Sequence, residues 1–176
     1  QQFVDADMVK FREIFTEELT EMSRGVLTPE TVTKMAGAIP KDLMVRYAAS
    51  GSLSRALGQM CLKANRTVGQ TGQLALYVRS MPDKAESICF IVRGTYGEKI
   101  ASASELQTVV QYEEDDVSLD AYASYMTGTH IDNLGGQYRE DLDNDKYVNL
   151  IAIVPADHVQ CPTGPIKTLP SKAAVH

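Results

Sequence analysis

The sequence predicts an α+β fold, with a helical N-terminal half packed on a small, mostly antiparallel sheet and an extended C-terminal arm. Three observations predict it. First, the apolar period changes from 3.6 to 2 between Leu53 and Val92: Leu53, Ala56, Leu57, Met60, Cys61 and Ala64 recur at helical spacing, whereas Leu74/Leu76/Val78 and Ile88/Phe90/Val92 alternate. Second, Tyr147 to Val154 is apolar at both parities and stops at Pro155, as expected of a strand inside a sheet. Third, Pro155, Pro162, Pro165 and Pro170 punctuate a C-terminal stretch with no apolar period.

A chain of 176 residues with 44% hydrophobic content can bury one core without metal or disulfide help. The expected organisation is a single domain over residues 1–155, led by an amphipathic helix over 1–24, and a Pro-rich extended or disordered tail over 156–176. No apolar run approaches the ~18–20 residues of a membrane span, and Phe3 onward lacks the basic-then-apolar pattern of a signal segment. A net charge of −6 argues against direct nucleic-acid binding as the main activity. Cys61, Cys89 and Cys161 show no metal-type spacing, and the first two fall on buried patterns, which favours free structural thiols.

From Phe3 to Arg24, Val4, Met8, Phe11, Phe15, Leu19 and Met22 step by three and four between charged residues, predicting an amphipathic helix that ends at Gly25. Its Phe and Met stripe packs on its own domain or on a neighbouring subunit. Thr28-Pro29-Glu30 then supplies an N-cap hydroxyl, a proline whose missing N–H costs nothing, and an acid at the positive end of the dipole. Val32, Met35 and Ile39 give this second helix its apolar edge. After Pro40, Leu43, Met44 and Tyr47 continue a helical face to Ala49, and Ser50-Gly51-Ser52 predicts a break in which Ser52 caps a helix from Leu53 to Arg66.

Gly69-Gln70-Thr71-Gly72 reads as a turn; it lacks the Lys-Ser/Thr pair of a phosphate loop. A hairpin follows, with strands Gln73 to Arg79 and Ser87 to Arg93 joined by a loop from Met81 to Glu86. Each strand has a second, half-apolar face in Ala75/Tyr77 and Cys89/Ile91. Both faces of the sheet are therefore expected to be covered, one by helices and the other by a further element or another subunit. Ser102 to Glu105 fits a capping box, leaving Leu106 to Tyr112 open between helix and β-favouring strand. Ser118 would cap a short helix burying Leu119, Tyr122 and Met126 and ending at Gly128.

Between Glu113 and Asp145 lie ten acids against Arg139 as the one base, a pattern expected of a solvated loop. Within it, Asp141, Asp143 and Asp145 alternate as carboxylates around a hard cation do. Lys146 stands where an EF-hand requires its turn glycine and Ala152 where it requires the bidentate Glu. A nucleotidyltransferase-like Asp141/Asp143 pair lacks the accompanying Gly-Ser and third acid. His130, His158 and His176 make no zinc pattern, and neither Ser52 nor Ser54 has an identifiable base. No catalytic, cofactor-binding or metal-binding residue is assigned on this basis.

Ser54 to Glu98 resembles the passage in tail-completion and head-tail joining proteins of long-tailed phages where a helix rich in Ala, Lys and Arg runs into a Thr-Gly-x-Leu turn that opens a hairpin. The matching residues run from Ser54 to Leu74, with the turn at Thr71-Gly72-Gln73-Leu74, and Gly94-Thr95-Tyr96-Gly97-Glu98 stands at the place of that family's Gly/Tyr turn. The resemblance covers about a quarter of the chain and implies a ring-forming virion component without a catalytic site. The long acidic segment and the Pro-rich tail depart from the pattern.

The expectation is a non-enzymatic structural or assembly subunit, acting through homo-oligomer contacts and contacts with other protein subunits, in a virion or the cytoplasm. Two alternatives stand beside it. One is a metal- or nucleotide-dependent enzyme using the Asp141 to Asp145 loop; the other is an acidic adaptor that binds a basic partner through Glu113 to Asp116.

Overall fold

The computed structural model describes residues 7–81, 86–97 and 113–161, and the fold is α+β. Strand β1 (Met8–Lys10) leads directly into helix α1 (Phe11–Met22), followed by α2 (Pro29–Gly37), β2 (Met44–Arg46), α3 (Tyr47–Val68), and the hairpin β3 (Gln73–Met81) and β4 (Ser87–Thr95). Helix α4 (Glu113–Asn133) precedes β5 (Gln137–Asp141), β6 (Tyr147–Val154) and β7 (Val159–Gln160). The larger sheet has the order β3-β4-β6-β5 and the smaller β1-β2-β7, and the recorded pairings are antiparallel.

Helix α3 is the centre of the molecule. It packs on α1, on α4 and on strands β3, β4 and β6, because its buried residues, small and polar ones such as Ser50, Ser54 and Gly58 included, cover more than half of its circumference, with Leu53, Leu57, Met60 and Cys61 all fully buried. The sheet side facing it carries Leu76, Val92 and Leu150 in one row and Val78, Phe90 and Ala152 in the next. These side chains form one continuous core with Phe11, Phe15, Leu19, Met35, Ile39 and Leu43. Phe11 stacks on Phe15 with ring centroids 6.0 Å apart and meets Phe90 edge-on at 6.3 Å, which ties α1 to the sheet beneath it. At Gly58 the Met22 thioether of α1 occupies the space a Cβ would take, 2.4 Å from its ideal position. The two helices approach closely there because position 58 has no side chain.

Several predicted elements stand. The β3/β4 hairpin is in the expected place, Tyr147–Val154 is an interior strand between β4 and β5, and Thr28 caps α2 by accepting the Thr31 N–H at 3.1 Å.

Other boundaries differ, each for a physical reason. The leading helix starts at Phe11 rather than Phe3: Met8–Lys10 are extended and pair with Met44–Arg46, so ladder bonds override the helical spacing of Met8. Residues 44–46 form a strand and not a helix because β1 and β7 pair with them from either side. The break at Ser50-Gly51-Ser52 is absent. Instead Ser50 donates to the Tyr47 carbonyl at 2.7 Å and Ser54 to the Gly51 carbonyl at 3.1 Å, so hydroxyls bond to carbonyls within a helix continuous from Tyr47 to Val68. Helix α4 likewise runs through Ser118 and past Gly128, stopping only before Gly135 at φ +77°. Tyr122 points outward, 65% exposed, not into the core.

The segment read as a solvated acidic loop contains the start of α4 and the edge strand β5, with the loop proper confined to residues after Asp141. Past Pro155 the chain makes β7, whose buried Val159 pairs with Val45, so it remains in the packed structure through Gln160. The Leu106 to Tyr112 alternatives, the Ser102 to Glu105 capping box and the residues after Cys161 lie outside the described residues. No helix among the described residues is long and apolar enough to cross a membrane.

Candidate functional site

Two places concentrate polar chemistry. The first lies between α3, α4 and β5, where the inward side of α3 carries Lys63, a residue only 9% exposed. Its Nζ donates to Glu140 Oε1 at 2.8 Å and to Ser124 Oγ at 2.7 Å. Ser124 in turn donates to Glu140 Oε2 at 2.6 Å, and the Tyr138 hydroxyl donates to the same oxygen at 2.7 Å. Tyr138 and Glu140 alternate on β5 and so share the sheet side that faces the helices. One turn further along α3, Arg66 donates through Nε to Asp120 Oδ1 at 2.6 Å, pinning the same two helices a second time.

The electrostatics follow from burial and from who donates. Burial pushes the Glu140 carboxyl up, but hydrogen bonds from Lys63, Ser124 and Tyr138, with the Lys63 charge, outweigh it and hold the carboxyl below its ordinary value. Burial raises the Tyr138 hydroxyl, and the bond to Glu140 and its negative charge raise it further. A serine beside a lysine becomes a nucleophile when a neutral amine takes its proton. Here the arrangement runs the other way: the Lys63 ammonium donates to Oγ while the serine's own hydrogen goes to Glu140. The chemistry available is that of an ionic clamp across three elements.

The second place is the sheet side turned away from the helices. Register puts Tyr77, Ile91, Ile151 and Arg139 in one row. The row on one side holds Arg79, Cys89, Ile153 and Gln137, and the row on the other holds Ala75, Arg93, Asn149 and Asp141. Cys89, Ile91 and Ile151 form a separate apolar cluster with Tyr77, Met81 and Ile153, drawn wholly from the strands, and Ile91 has no solvent exposure. Three guanidinium groups surround it. Arg93 donates through Nε to Asn149 Oδ1 at 2.9 Å and lies 4.0 Å over the Tyr147 ring. Arg79 Nε and Arg93 Nη2 are buried and without a hydrogen-bond partner among the described residues. Arg139 is exposed and, with Asp132, Gln137, Tyr138, Ile151 and Ile153, lines a cavity of about 270 Å³.

The cysteines form no disulfide among the described residues. Burial pushes Cys61 up to about 12, and Cys89 up to about 11 against the opposing pull of Arg79 and Arg139, so neither is a thiolate near neutrality. Of the predicted acidic loop, Asp141 ends β5 while Asp143 and Asp145 are exposed beyond it, and Asn144 Oδ1 accepts the Lys146 N–H at 2.7 Å. Among the described residues, no group of three or more His, Cys, Asp or Glu side chains is placed to hold a metal ion. Ser52 and Ser54 lie within α3, His130 within α4 and His158 beside β7; the structure brings none of them together as a site.

Sequence reasoning missed both polar places. A lysine at an inward position of an otherwise apolar helix face was the available signal for Lys63. For the arginines it was their shared parity with Tyr77 and Ile91. No protein-family model matches the chain, and a comparison with curated proteins returns no match.

Proposed function

We propose that the chain is a non-enzymatic structural subunit of a multi-subunit particle, acting by self-association and by contact with other protein subunits. The observation that carries this reading is the outer side of the sheet. Its apolar centre is ringed by Arg79, Arg93 and Arg139, two of which hold buried N–H groups with no partner among the described residues. An unpaired buried donor costs ~1–3 kcal/mol, and more when it is charged. The accessible remainder of the three guanidinium groups offers charged donors to a protein surface bearing acceptors. The buried Lys63 cluster supports the same reading from the other side, since its donors and acceptors are spent on each other. The resemblance of Ser54 to Glu98 to phage joining proteins makes a virion the particle this reading names.

The test is solution mass by light scattering from ~1 to 100 μM in low salt, a span that covers the dissociation constants of weak to moderate protein complexes. The expected result is a mass of two or more chains. A single-chain mass throughout the range overturns the proposal.

A further inference from the structure

We infer that the arginine-bearing side of the sheet in one chain docks on the acidic outer side of α1 in a second copy, making a head-to-tail contact. This rests on the self-association reading and names its two surfaces.

The first surface follows from the register. Adjacent strands lie ~4.8 Å apart and two residues advance ~6.8 Å along a strand. Arg93 and Arg139, two strands and one row apart, are therefore separated by about 12 Å at the backbone. Arg79 and Arg93, on neighbouring strands and two rows apart, are separated by about 14 Å. Arg139 is exposed, while Arg79 and Arg93 are half-buried around a closed apolar centre. The parts of these guanidinium groups that remain accessible are hydrogen-bond donors, and carboxylates are the acceptors that guanidinium groups bind most strongly.

The second surface is on α1. Glu13, Glu17 and Glu21 are all exposed and recur every four residues, so they form one stripe along the outer side of the helix. At 1.5 Å per residue the stripe spans about 12 Å, close to the Arg93 to Arg139 separation. The neighbouring Arg12 does not neutralise it, because its guanidinium is committed to the carbonyls of Ile39 at 2.7 Å and Gly37 at 3.0 Å. Arg24 pairs with Glu21 at 2.8 Å, but both side chains are more than two-thirds exposed, so that pair exchanges at little cost.

Topology decides that the contact is between chains. Helix α1 belongs to the helical layer, packed on α3 and in the main core, whereas the arginines are on the opposite side of the sheet. One chain cannot bring the two together. Because the surfaces differ, each copy offers one of each, and repetition gives a closed ring or an open filament rather than a two-fold dimer.

Charge reversal tests the pairing. One variant carries Arg79→Glu and Arg139→Glu, the other Glu13→Lys and Glu17→Lys, with folding checked by far-UV circular dichroism. Each variant alone is expected at single-chain mass in low salt, and a one-to-one mixture is expected to recover an assembly, since wild-type and reversed contacts then alternate. If the double arginine variant loses its fold, Arg139→Glu alone replaces it, with an expected tenfold or greater weakening of association. A multi-chain parent whose mass neither variant changes overturns this pairing and leaves self-association standing. A single-chain parent overturns self-association, and the pairing with it. A parent that binds a fluorescein-labelled single-stranded oligonucleotide through Arg79 and Arg139, with its mass unchanged in the variants, assigns the surface to nucleic acid and overturns docking on α1.

Discussion

Replacing Glu140 by Gln is the sharpest probe of what holds the helical layer to the sheet. The substitution keeps the shape but removes the charge opposite Lys63, whose side chain is 11% exposed and whose ammonium has Glu140 and Ser124 as its partners in the cluster. Removing one member of a buried pair leaves an uncompensated charge and costs about 3–5 kcal/mol. The residual exposure of Glu140 at 19% and the retained amide acceptor bring the expectation to the lower end, about 3 kcal/mol. Urea unfolding at pH 7 measures it as a lowered midpoint with an unchanged slope. Acid unfolding supplies an independent signature. The folded carboxyl is held below its unfolded value, so its contribution is present above the unfolded value and is lost as pH falls through the folded one. The Glu140→Gln protein therefore lacks that part of the acid loss and shows a flatter stability profile below pH ~4.5. Pairing it with Lys63→Met should recover much of the deficit, since the ammonium left without its counter-charge is then removed as well. A Glu140→Gln variant within ~0.5 kcal/mol of the parent would refute the clamp, because that is the scatter of ordinary surface substitutions.

Three further outcomes are expected. Val159→Ala, at a fully buried position paired with Val45, should cost about 2 kcal/mol in urea unfolding by removing two methyl groups and leaving a partial cavity; an unchanged midpoint would show that β7 adds nothing to the domain. Gly136→Ala places a Cβ 2.1 Å from the Ile153 carbonyl oxygen, a backbone atom that cannot swing aside, so a loss of about 1–3 kcal/mol is expected in thermal unfolding. With a thiol-reactive chromophore at pH 8, Cys161 should react first, with Cys61 and Cys89 protected until the chain unfolds, because burial both hides those thiols and raises them; three equal rates would contradict the packing.

What was legible in the sequence is what depends on local pattern. The alternation of Leu74/Leu76/Val78 and Ile88/Phe90/Val92, the apolar run of β6 and the cap at Thr28 each record a decision made over a few residues, and each element is where expected. The three-residue strands β1 and β2 were not legible, because Met8 and Met44 also fit a helical face and only pairing between distant segments makes them extended. The same holds for the serines of α3, whose hydroxyls serve a cap or an interior bond equally well until tertiary packing favours a continuous helix. Lys63 and Glu140 are 77 positions apart, so their pairing exists only through the fold. Glu140 was hidden further by the acids around it, which make a buried carboxylate look like one more charge in a solvated run. The outer sheet side was half legible: Ala75/Tyr77 and Cys89/Ile91 announced an apolar second face, but the arginines converge on it only once four strands are in register.

The central claim is that one chain's arginine-bearing sheet side meets another's acidic helix, and mass measurement on the mixed charge-reversed chains tests it most directly. Head-to-tail docking predicts single-chain mass for each variant alone and an assembly when they are combined. Multi-chain mass in each separate variant, or single-chain mass in the mixture of two folded variants, would contradict it.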